Sequence, residues 1–65
     1  MPDFAREEFP IFATADGIVR WVEGGTVTVE YADGLFARMF HVQDIRVVPD
    51  EVIARGQQIG TGRAW

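Results

Sequence analysis

Of the side chains that could run hydrolytic chemistry, this 65-residue sequence supplies one histidine, His41 in the stretch FARMFHVQD, ten acids, and neither cysteine nor serine. A water-activating zinc site needs about three ligands drawn from His, Cys, Asp and Glu, with an open position for water. Asp44 follows His41 by three residues, and Asp16 and Asp33 fall in turns, but carboxylates alone favour hard ions that bind weakly. The donor set predicts no metal and no other cofactor. Acid pairs offer a second chemistry, since two carboxyls about 5 to 10 Å apart can hydrolyse a glycoside. Glu7 with Glu8 and Asp50 with Glu51 are adjacent, yet they fall in a polar tail and a turn, where solubility accounts for them. Thr14, Thr26, Thr28 and Thr61 have no neighbouring base to activate a hydroxyl. The run GQQIGTG lacks the lysine and the following helix of a phosphate-binding loop. We read no catalytic residue, with His41 as the one vestigial candidate. A strand-end histidine in a structural role is the commoner case. On one face with Leu35 and Met39, it should be half-buried and hold a local hydrogen bond.

Strands must position these residues. Turn signals recur at short intervals, as ADG (15–17), EGG (23–25), ADG (32–34), VPDE (48–51) and ARG (54–56). Between them, residues 18–23 (IVRWVE), 26–31 (TVTVEY) and 35–41 (LFARMFH) read as strands of a hairpin meander. Residues 10–14 and 57–61 add two more, 44–48 is a further extended segment, and DEVIAR forms at most a turn. Alternation places Val27, Val29 and Tyr31 opposite Thr26, Thr28 and Glu30, and puts Val19 and Trp21 together on one face of the preceding strand. In the fourth strand Leu35, Ala37, Met39 and His41 share one face, while Phe36, Arg38 and Phe40 share the other. Both sides of it are bulky and apolar, so both call for cover. The predicted fold class is an all-β antiparallel sandwich or half-barrel of five to seven short strands, like a barrel-sandwich hybrid. An arm (1–8) would precede the β domain (9–62), and an anchor (63–65) would follow it.

A chain this short buries only about 60% of the surface its unfolded form exposes. With no cysteine for a disulfide or thiolate metal site, assembly with other subunits is the expected aid to stability. The net charge is −4, and all six cations are arginines spread along the chain. Nucleic acid requires a concentrated basic patch, so that partner class is excluded; isolated arginines suit protein interfaces. No apolar run approaches the roughly 20 residues that span a bilayer, and MPDFAREEFP is too acidic for a signal peptide. We expect neither a membrane partner nor an export address. Eight aromatics are a heavy load for this length, and most are expected in the core. Phe4 and Phe9, which flank AREE, and Trp65 are instead read as anchors in a partner's pockets.

The order of the segments resembles one family. PIFATADGIV is similar to the stretch of lysostaphin-type zinc endopeptidases in which a strand enters an alanine-rich turn, an Asp-Gly and a Gly-x-Val strand. GGTVTVEYADGLFARMFHV resembles that family's Gly-x-x-Val-x-Ile-x-His, Gly-x-Gly, Tyr-x-His-Leu progression, and VVPDEVIARGQQIGTG resembles its closing Gly-Gln-x-Ile-Gly run. The likeness spans roughly residues 9–62 and rests on the order of several weak signals. A related turn pattern occurs in biotinyl and lipoyl carriers, whose modifiable lysine this chain lacks. The resemblance implies a peptidoglycan-hydrolase β core stripped of its metal. The family binds zinc through an upstream His-x-x-x-Asp and a downstream His-x-His. MPDFAREEF holds no histidine, and no His-x-His follows GQQIG. The family's Val-x-Ile-x-His position falls at about Tyr31, and His41 corresponds to the Tyr-x-His-Leu histidine, which assists catalysis there.

Together these readings predict a non-catalytic structural or interaction module in a homo- or hetero-oligomeric assembly, such as a structural or decoration protein of a virion. The alternatives are a peptidoglycan endopeptidase fragment completed by metal ligands from another chain, and a module that binds cell-wall peptide or glycan. For binding, the candidate groove residues are Tyr31, Arg38 and His41.

Overall fold

The computed structural model describes residues 8–63, and they form an all-β fold. Its strands are β1 (Glu8–Phe12), β2 (Gly17–Glu23), β3 (Thr26–Tyr31), β4 (Phe36–Met39), β5 (Val52–Ile53) and β6 (Gln58–Arg63). A four-stranded sheet has the order β4-β3-β2-β5, and β1 and β6 form a two-stranded sheet; every pairing is antiparallel. Gly24 (φ 56°) and Gly25 (φ 81°) close the β2–β3 hairpin, because a two-residue link that matches the strand twist needs positive φ at both positions. The Asp33 carboxylate accepts the Leu35 N–H at 3.0 Å and shapes the turn into β4. The meander is therefore set by local turn chemistry.

The core lies between the inner face of the larger sheet and the chain that crosses it. Val19, Val27, Val29 and Ile53 come from the sheet, and Ala13, Val42, Val47 and Ile59 from the covering segments; all are buried. Residues 42–47 have no strand of their own, and the extended reading of 44–48 yields none. The segment is held by an isolated Gln43↔Thr61 bridge, by Val42 N–H to the Gly25 carbonyl, and by Arg46 N–H to the Ile59 carbonyl, each bond at 2.8 Å. Gly60 allows this approach: a Cβ there would lie 2.6 Å from Val42 Cγ1 and 2.9 Å from the Gln43 carbonyl.

Several features depart from the sequence reading. A bulge between Val19 and Trp21 sets two residues of β2 against Thr28, which shifts the parity of the strand. Val19 is fully buried while Trp21 is 58% exposed, so the two do not share a face. Val52 and Ile53, read as a turn, pair with Ile18 and Gly17. β1 begins at Glu8 and β6 runs to Arg63, each reaching one residue into the segments read as arm and anchor. β4 ends at Met39, and His41 leaves it at φ 57°. The aromatics do not fill the core either. All the buried hydrophobics among the described residues are aliphatic.

Candidate interaction surface

The register decides which predicted site residues meet. Val29↔Ala37 and Val27↔Met39 are opposed, as are Thr28↔Arg38 and Glu30↔Phe36. Opposed residues share a face and neighbours alternate, so Tyr31 belongs with the core-facing set and Arg38 with the outer face. His41 sits beyond the end of β4 beside Gly25, whose carbonyl accepts the Val42 N–H. Tyr31 lies six residues along β3 from that point, about 20 Å at the usual strand rise. Tyr31, Arg38 and His41 do not converge on one groove. His41 is exposed rather than half-buried, because its left-handed backbone conformation takes it off the β4 face. Histidine tolerates that conformation better than most residues. Phe9 lies in β1 opposite Gly62, with its ring over that glycine. Phe4 and Trp65 fall outside the described residues.

Tyr31 does line an open depression of about 280 Å3 with Asp16, Arg20 and Glu30, adjoining a second of about 420 Å3 beside Thr14 and Asp33. Its polar groups are already engaged within the chain. The Asp16 carboxylate accepts the Arg55 N–H at 2.8 Å, Thr14 Oγ1 donates to the Tyr31 hydroxyl at 3.2 Å, and Arg20 Nε pairs with Glu30 Oε1 at 2.8 Å. Gly17 floors the site: a Cβ there would stand 2.6 Å from the Glu30 carbonyl. Among the described residues no group of three or more His, Cys, Asp or Glu side chains could hold a metal ion. Among the described residues the hydroxyl of Thr14 bonds to a phenol, which supplies no base. The depression is built as a turn anchor.

The outer face of the four-stranded sheet is different. Two rows cross it in register, Phe36–Glu30–Ile18–Val52 and Arg38–Thr28–Trp21. Trp21, Phe36 and Val52 are 58%, 57% and 74% exposed, and the Arg20–Glu30 ion pair sits among them. Phe9 and Phe12 of β1 in the two-stranded sheet, and Phe40 just beyond the end of β4, are also exposed. Of the six described aromatics, only Tyr31 is not exposed. The sequence signalled part of this surface, since Phe36, Arg38 and Phe40 read as sharing one face of a strand, although neither face was read as the outer one. It hid Trp21 behind the bulge and Val52 in a segment too short to show alternation. Compared with family models, with curated proteins and with solved structures, the chain matches none.

Proposed function

We propose that this chain is a non-catalytic interaction module that works inside a protein assembly, of the kind a virion uses as a structural or decoration subunit, and that it engages its partner through the outer face of the four-stranded sheet. The observation that carries this reading is the inversion of the usual arrangement, with the buried hydrophobics among the described residues all aliphatic and Trp21, Phe36 and Phe40 left in solvent. Aromatics and arginine are the residues enriched at the cores of protein interfaces, and Trp21, Phe36 and Arg38 are all exposed on the outer face of this sheet. The engaged polar groups of the Tyr31 depression add no chemistry that competes with it.

Incubation of the purified chain with peptidoglycan sacculi and added zinc tests the reading. No soluble muropeptides and no retention on the sacculi are expected. Released muropeptides would replace it with the endopeptidase-fragment reading, and retention without cleavage with the cell-wall-binding one. Trp21→Ser should also leave the folded state intact; a variant that unfolds would make Trp21 part of the folding core and remove the argument.

A further inference from the structure

The partner can be named more closely from the backbone of β4, the open edge of the larger sheet. Val19 directs its own N–H and carbonyl away from β3, bonding to the Glu51 carbonyl and the Asp50 N–H, although it is opposed to Val29. Val29 therefore turns its peptide groups toward Ala37 on β4, and the Tyr31 N–H to Leu35 carbonyl bond at 2.8 Å continues the same alternation. By that alternation the N–H and C=O of Phe36 and Arg38 point out of the sheet. Among the described residues they lack the guards that the other edges have. β1 carries Pro10, β5 has only two residues, and β6 is bridged by Gln43.

We propose that β4 pairs antiparallel with β4 of a second copy of this chain, about a dyad at Ala37, joining the two four-stranded sheets into one. This proposal rests on the interaction-module reading and specifies its partner. The register follows from the side chains. Centred on Arg38, the pairing would set two guanidinium groups opposite each other, and like charges so placed repel. Centred on Phe36, it would bring Gly34 (φ 86°) into the ladder, where the chain is turning and not extended. Centred on Ala37, Phe36 opposes Arg38 of the second copy and the reverse. Each pair can exchange its outward N–H and C=O groups, and on the outer face each guanidinium can lie over a phenyl ring. The small Ala37 side chains meet at the axis on the other face. The dyad also joins the two outer faces, with their exposed Trp21 and Phe36 side chains, on one side of the merged sheet.

Edge pairing of this length falls at the small end of interface sizes, so the dimer fraction should rise between about 10 μM and 1 mM chain. Sedimentation equilibrium of the full chain over that range should show passage from 7.3 kDa toward twice that mass. The Arg38 amide makes no rung with β3, so R38P should fold, and its dimer should be weaker by about tenfold or more. Amide exchange of the unsubstituted chain provides a check that does not depend on a variant: the Phe36 and Arg38 amides should gain protection as concentration rises. A monomer at every concentration would overturn self-pairing while leaving a different protein as the partner of the module. A dimer that R38P leaves unchanged, or in which those two amides exchange as fast as in dilute solution, would overturn the β4 edge as the contact. Muropeptide release in the sacculus assay is the separate result that removes the module reading itself.

Discussion

At φ 57° His41 holds the conformation that lets Val42 turn into the core and return its N–H to Gly25. The side chain is incidental to that job. His41→Gly should therefore unfold in urea within about 0.5 kcal/mol of the original chain, because relief of the left-handed strain offsets the entropy that glycine adds to the unfolded state. His41→Val should cost about 1–2 kcal/mol, since a β-branched residue resists the same φ. Loss of stability in the glycine variant equal to that in the valine variant would show that the imidazole itself matters. The Arg20–Glu30 pair is a second residue-scale case. Its side chains are 38% and 33% exposed, so solvent screens it, and a double-mutant cycle should give a coupling below about 1 kcal/mol that shrinks with added salt.

At the scale of the strands, the parity of β3 was legible because Val27 and Val29 alternate with threonines without interruption, and both valines are fully buried. β2 was not, since a bulge is invisible in a pattern that reads IVRWVE either way. β5 was missed because a two-residue strand has no period to detect. The groove of Tyr31, Arg38 and His41 needed a pairing register that only the turn geometry supplies. Tyr31 and Arg38 fall on opposite faces through the single offset Thr28↔Arg38. That Phe36 and Arg38 share a face was readable, since it depends on alternation within one strand; that this face points outward was not. Gly17 tests the packing of β2 on β3. Gly17→Ala drives a methyl to 2.6 Å from the Glu30 carbonyl and 3.1 Å from Val29 Cγ1, which should cost about 1–3 kcal/mol in thermal or urea unfolding. An unchanged midpoint would show that β2 can shift to make room.

For the whole molecule, the aliphatic core and the aromatic surface should respond differently to truncation. A chain of 65 residues has a total stability of roughly 3–10 kcal/mol by the usual per-residue range. Ile59 is fully buried, and Ile59→Ala should remove about 2–5 kcal/mol, lowering the calorimetric midpoint by tens of degrees or abolishing the transition. Phe36→Ser, at 57% exposure, should move the midpoint of a dilute sample by only a few degrees despite deleting a larger side chain. A comparable fall in both variants would mean that the outer face is part of the cooperative unit.

The exposure of Trp21 also fixes how the protein can be watched by light. With Trp65 replaced by Phe, the remaining tryptophan is 58% exposed, so its emission should already be red-shifted and open to collisional quenchers in the native state. Denaturation should then barely change its colour, whereas any occlusion of the sheet's outer side should shift it blue: the intrinsic signal of this protein reports company rather than folding.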